Sequence, residues 1–127
     1  MGIIQKAELT DCELTVMKII WDAGEPITCG EIQEQLRNTY NLVYKDTTVY
    51  TFLKNLREKC FVDTYRRGVT FFVPIRNQEE YRKDIMQRMK KFWYNDDISF
   101  FLTSVGQDEN FDEKDIAKLR RIVSKYK

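Results

Sequence analysis

Residues 46–74, DTTVYTFLKNLREKCFVDTYRRGVTFFVP, decide the fold. Val49, Phe52, Leu53 and Leu56 recur at helical spacing, so they share one side of a helix. The opposite side carries Thr47, Tyr50, Thr51 and Lys54, with Thr48 beside Thr47 in the first turn and Lys45 just ahead of it. Hydroxyl, phenol and amine groups of this size can meet base edges and phosphates in a DNA major groove. The next stretch turns at Arg66-Arg67-Gly68, which predicts a two-stranded hairpin with two guanidinium groups at its tip and a glycine able to take positive φ. A groove-sized helix followed at once by a basic hairpin is the order of a winged helix-turn-helix.

Two earlier helices complete that order. Thr10 and Glu13 are spaced as a capping box, with Leu9 and Leu14 as its staple, opening a helix whose apolar face is Leu14, Met17, Ile20 and Trp21 and which Gly24 ends. Pro26 falls in the connection. Thr28 and Glu31 form a second box, with Ile27 and Ile32 as staple, leading a helix through Gln33 and Leu36 to about Thr39. Asn41-Leu42-Val43-Tyr44 is β-leaning and is expected to pair with the hairpin as a third strand. The expected fold is mainly α with a small β wing: a winged helix over residues 1–76, then a helical dimerisation domain over 77–127.

Beyond Pro74 the pattern is helical. Asn77 is placed to cap Gln78-Glu79-Glu80. Tyr81, Ile85, Met89, Phe92 and Trp93 form an apolar stripe, continued by Ile98, Phe101, Leu102 and Val105 after a break at Asn95-Asp96-Asp97. Asp112 precedes a last helix with Ile116, Leu119, Ile122, Val123 and Tyr126 on one face. Three short helices cannot enclose so many large apolar side chains alone. The stripes either pack back on the winged helix or meet a second copy under two-fold symmetry, and the second arrangement is the expectation.

Charge supports nucleic-acid binding only locally. The net charge is +1, but residues 45–67 hold six basic side chains (Lys45, Lys54, Arg57, Lys59, Arg66, Arg67) against three acidic ones (Asp46, Glu58, Asp63). The positive field is thereby confined to the proposed reading surface, and binding should weaken with salt without an extreme slope. The other interpretation of that helix face, as a solvated surface or a docking site for a partner protein, would make the domain a protein-interaction module without sequence-specific DNA binding.

Other chemistries are poorly served. The chain has no histidine, no Cys-x-x-Cys, no glycine-rich phosphate loop and no nucleophile motif, so neither an enzyme nor a metal or other cofactor is expected. Cys12, Cys29 and Cys60 are odd in number and widely spaced, which fits a reducing cytoplasm and apolar packing of each thiol. Asp96-Asp97 and Asp108-Glu109 fall at helix breaks, where capping and solvation account for them. No apolar run approaches a membrane span, and Ile3-Ile4 followed by Gln5-Lys6 is not the opening of a signal peptide.

The segments LTDCELTVMKIIWDAGEPITCGEI (9–32), TTVYTFLKNLREKCFV (47–62) and FFVPIRNQEEYR (71–82) resemble the penicillinase-repressor family of bacterial transcription factors, the BlaI, MecI and CopY type. The resemblance runs from about Leu9 into the last helix, and TTVYTFLKNL and VPIRNQEEYR are its most specific parts. It implies a homodimeric repressor whose N-terminal winged helix reads double-stranded, palindromic operator DNA and whose C-terminal helices hold the dimer. It leaves room for an upstream sensor, which no motif here names. The chain departs from the family pattern at Cys60, where relatives usually have Gly. It also departs at Ser104-Val105, where protease-induced relatives are cut at Asn-Phe.

Overall fold

The computed structural model describes residues 9–107 and 110–126, so the readings of Ile3–Glu8 and of Asp108-Glu109 lie outside the described residues. Helix α1 (Asp11–Ala23) begins at the predicted capping box: the Glu13 amide donates to Thr10 Oγ1 at 3.1 Å and the Thr10 amide donates to Glu13 Oε1 at 3.1 Å. It ends at Gly24, whose φ of 69° a side chain would strain. Strand β1 (Ile27–Thr28) leads straight into α2 (Cys29–Tyr40), capped by Thr28 and Glu31 as the spacing predicts. Then come α3 (Asp46–Glu58), β2 (Val62–Arg67) and β3 (Val69–Pro74). The fold is mainly helical with a small three-stranded antiparallel sheet in the order β1-β3-β2: a winged helix.

The third strand is not where the sequence pointed. Ile27 and Thr28 pair with Phe72 and Phe71, while residues 41–45 form no strand. Asn41 adopts φ 56°, and its amide and that of Leu42 both donate to the Leu36 carbonyl, closing α2. Tyr44 then turns toward the helices: its ring meets Phe52 edge-on at 5.3 Å, its carbonyl accepts from Gln33 Nε2 at 2.9 Å, and its hydroxyl lies 3.4 Å from Cys12 Sγ. These contacts take the backbone away from the sheet.

The core lies where the three helices meet the sheet. Val16, Met17 and Ile20 of α1, Ile32 and Leu36 of α2, and Val49, Leu53 and Leu56 of α3 are all buried, together with Phe61, Val62 and Phe72. Leu14 faces outward, 40% exposed, and Glu13 takes the inward place expected for it. Helix α3 ends in a Schellman motif. The Phe61 amide donates to the Leu56 carbonyl, the Cys60 amide donates to the Arg57 carbonyl, and Cys60 sits at φ 65°. Of the three cysteines only Cys29 is buried; Cys12 is half-buried and Cys60 exposed, so apolar packing does not account for all three. At Cys60 the backbone turn fixes the position, and the side chain is directed outward as a result.

The chain forms two compact units, residues 1–84 and 85–127, with the boundary inside α4 (Gln78–Trp93). Asn77 caps α4 by accepting from the Glu80 amide at 3.1 Å. Tyr81, the first residue of the predicted apolar stripe, belongs to the first unit: it is buried, with its ring 5.5 Å from both Trp21 and Phe61. In the second unit, Asn95 and Asp96 (φ 52° and 60°) break the helix, and Asp97 caps α5 (Ile98–Gly106) through the Ser99 and Phe100 amides. Asp112 and Asp115 form a capping box at α6 (Glu113–Ser124). Among the described residues, no helix is long and apolar enough to cross a membrane.

Candidate nucleic-acid interface

Burial of Val49, Leu53 and Leu56 decides which side of α3 faces the core and turns the opposite side outward. Lys45, Thr47, Tyr50, Thr51 and Lys54 are exposed there, and Thr48 is half-buried. Tyr50 is 52% exposed, a large phenol held open to solvent. The Thr51 hydroxyl donates to the Thr47 carbonyl at 2.9 Å, so its oxygen still has lone pairs to offer as an acceptor. Lys45 precedes the first turn without a side-chain cap, leaving that turn's amides without a side-chain acceptor. An uncapped helix start of this kind can take an anionic oxygen. Cys29, at the start of α2, lies beside the same turn. Burial pushes its thiol pKa up, the Asp46 charge adds to this, and the Tyr50 hydroxyl opposes both.

The wing is a tight hairpin in which Arg67 pairs with Val69 across Gly68, whose φ is 76°. Tyr65 and Phe71, cross-strand partners, stack at 5.3 Å with ring planes 19° apart and stiffen the ribbon. Because strand side chains alternate, Arg66 shares a face with Val62 and Arg67 takes the other. Both are exposed. Arg66 Nη1 reaches Thr70 Oγ1 at 3.5 Å, the outer limit of a hydrogen bond.

Ion pairing separates two groups of cations. Lys18 pairs with Asp22 at 2.7 Å and Lys59 with Glu13 at 2.6 Å. Among the described residues, Lys45, Lys54, Arg66 and Arg67 have no carboxylate partner. Lys59, counted in the sequence as part of the basic surface, is therefore turned inward to Glu13.

That inward pair was not legible in the sequence. The Glu13 side chain is only 4% exposed, and three groups satisfy it: the Thr10 amide, Asn55 Nδ2 at 3.1 Å and Lys59 Nζ at 2.6 Å. Burial pushes its carboxyl pKa up, but the Lys59, Thr10 and Asn55 hydrogen bonds and the Lys59 charge together outweigh this and hold it below the ordinary value. The available signal was Asn55 in the last turn of α3 and Lys59 just past its end, four residues apart and so on one side of the helix end.

The second unit presents a different surface. Ile85, Met89, Phe101, Leu102, Ile116 and Leu119 are half-buried. Phe92, Trp93, Ile98, Ile122 and Val123 are each about half exposed or more. Phe92 and Trp93 meet edge-on at 5.0 Å, and Tyr94 meets Phe100 and Phe101 at 5.0 and 5.2 Å. None of the described residues in 85–126 is buried. At roughly 1.5–3 kcal/mol for each large apolar side chain fully withdrawn from water, the first unit has a core to fold on and the second has none of its own.

The profile of the penicillinase repressor family matches residues 9–125. The chain belongs to that family. It is a family of transcriptional repressors and not of enzymes. Among the described residues, no group of three or more His, Cys, Asp or Glu could hold a metal ion. Two solved structures share the fold of this chain. A point mutant of MepR from S. aureus has a TM-score of 0.54 at 16% identity, covering 98% of this chain and 85% of that one. A complex structure of hsRosR-S1 has a TM-score of 0.52 at 15% identity, covering 93% and 91%. At these identities the likeness is one of fold. No individually curated protein matches the sequence significantly.

Proposed function

We propose that this repressor binds palindromic operator DNA as a homodimer, reading bases with the exposed face of α3 and gripping phosphates with the wing. The observation that carries the proposal is the outward face of α3, where Thr47, Tyr50, Thr51 and Lys54 stand exposed on a helix whose opposite side is buried through Val49, Leu53 and Leu56. Tyr50 and Thr51 supply hydroxyl groups for base edges, while Lys45, Lys54, Arg66 and Arg67 supply charge that is not spent on carboxylates. Thr47 and Thr48 lie at the N-terminal turn, the part of a recognition helix that enters a groove first.

Dimerisation is supported by the second unit. Ile85, Met89, Phe92, Trp93, Ile98, Phe101, Leu102, Ile116, Leu119, Ile122 and Val123 supply more apolar surface than three helices of this length cover. A second copy would bury it and place two reading helices on successive half-sites. The site of action would be the cytoplasm, where the DNA is.

Selection of duplexes from a randomised pool, followed by an electrophoretic shift with the recovered sequence, tests the proposal. A palindromic consensus bound by two chains, with affinity falling as salt rises, is the expected result. Recovery of no consensus, together with binding indifferent to sequence, would contradict it.

A further inference from the structure

Two consecutive residues of α1 reach the segment that carries the reading face. Cys12 touches Tyr44, just ahead of α3, and Glu13 holds Asn55 and Lys59 in and after its last turn. We infer that Glu13 is a positioning residue for DNA reading, fixing the axial placement and rotation of α3 through Asn55 and Lys59 and so deciding which base edges Tyr50 and Thr51 meet. The inference rests on the function proposed above and adds the residue that aims it.

The apolar contacts of α3 leave part of its placement undetermined. Val49, Leu53 and Leu56 bury area, and burial is non-directional, so it selects the inward face of α3 more strongly than it sets the fine placement of the helix along and about its axis. Hydrogen bonds to a charged group fall off steeply with distance and angle and permit no such drift. Glu13 is itself held in place, because the Thr10 amide donates to the same Oε1 that Lys59 meets, while Oε2 accepts from Asn55. The capping box of α1 thus aims a carboxylate, and α3 is attached to both of its oxygens.

Stability alone is a poor reason for this arrangement. Taking a carboxylate and an ammonium out of water costs free energy that a well-packed apolar pair would not, so a buried ion pair is weak evidence of a stabilising device. Its geometry, by contrast, serves a helix whose outward side chains must meet base edges within hydrogen-bond tolerance. Phosphate contacts from Arg66, Arg67 and Lys54 depend on charge and are less sensitive to a small displacement.

The full-length Glu13→Gln and Lys59→Met variants and the double variant decide the matter. Each would be compared with wild type on a duplex selected from a randomised pool by the wild-type protein and on a shuffled duplex of equal composition. Circular dichroism and a denaturant midpoint establish that each protein is folded at the assay temperature. The selected-over-shuffled affinity ratio should fall about fivefold or more in each single variant, the low end of one lost base contact. Shuffled-duplex affinity and its salt slope should stay near wild type. The double variant should lose no more than Glu13→Gln alone, since Lys59 acts through the Glu13 carboxylate. A wild-type ratio in folded Lys59→Met, with only the midpoint lowered, would overturn the inference, as would additive losses in the double variant. Should Glu13→Gln fail to fold, Lys59→Met carries the decision. If wild type itself selects no duplex, the DNA-reading function falls first and this inference with it.

Discussion

The indole N–H of Trp21 donates to the carbonyl oxygen of Arg76 at 2.8 Å, joining the end of α1 to the segment that leaves the wing. Around that bond Tyr81 packs against Trp21 and Phe61, and the Arg76 guanidinium lies 4.4 Å from the centre of the Phe61 ring. The Ile75 amide donates to the Phe61 carbonyl at 2.8 Å. Residues 75–81 are therefore part of the winged helix's own packing, not a linker beyond it.

This relationship determines where the DNA-binding unit can be cut. A chain ending at Asp84 keeps Arg76 and Tyr81 and should fold and sediment as a monomer. One ending at Ile75 loses both and should be less stable by about 3 kcal/mol or more, the usual cost of removing a buried aromatic side chain. Denaturant midpoints and sedimentation of the two fragments check this. A dimeric 1–84 fragment would place the interface outside the C-terminal helices.

Cys60 holds a left-handed position that glycine adopts without strain. Its thiol is exposed and, among the described residues, reaches the Glu58 carbonyl alone, at 4.0 Å, so little packing offsets that strain. Cys60→Gly should raise stability by roughly 0.5–1 kcal/mol. A lower denaturation midpoint would show that the thiol contributes packing after all.

Glu13 should make stability acid-sensitive. Its folded pKa lies below the ordinary value of 4.5, so the unfolded chain takes up protons more readily as pH falls. The stabilisation it contributes is fully present above that value and is lost as pH drops through the lower folded one. The stability gap between wild type and Glu13→Gln should therefore narrow as pH is lowered from neutral to below 4.5. Urea unfolding across that range measures it, and a gap independent of pH would contradict the assignment.

The parts of this fold that could be read from sequence are those whose causes are local. The boxes Thr10–Glu13 and Thr28–Glu31 announce helix starts within four residues, and the Val49-Leu53-Leu56 stripe announces the seat of α3. Gly68 marks the wing turn for the same reason. What could not be read depends on distant partners. β1 exists only because Ile27 and Thr28 find Phe72 and Phe71, and Tyr44 is drawn from the sheet by Phe52 and Gln33. Glu13 looked like a capping residue alone because its second role lies 46 residues away at Lys59. On the candidate interface the exposed face of α3 was legible, but the withdrawal of Lys59 from it was not.

If α3 reads bases while the wing supplies charge, variants of the two elements should fail in different ways. The measurement is the affinity of Tyr50→Ala, Thr51→Ala and Arg67→Ala for a selected operator duplex and a shuffled one at two salt concentrations. Tyr50→Ala or Thr51→Ala should weaken operator binding by roughly 1–3 kcal/mol while barely changing binding to shuffled DNA. Arg67→Ala should weaken both about equally and flatten the salt dependence, because it removes a phosphate contact. Loss of operator selectivity in Arg67→Ala with its retention in Tyr50→Ala and Thr51→Ala would show that α3 is not the reading element.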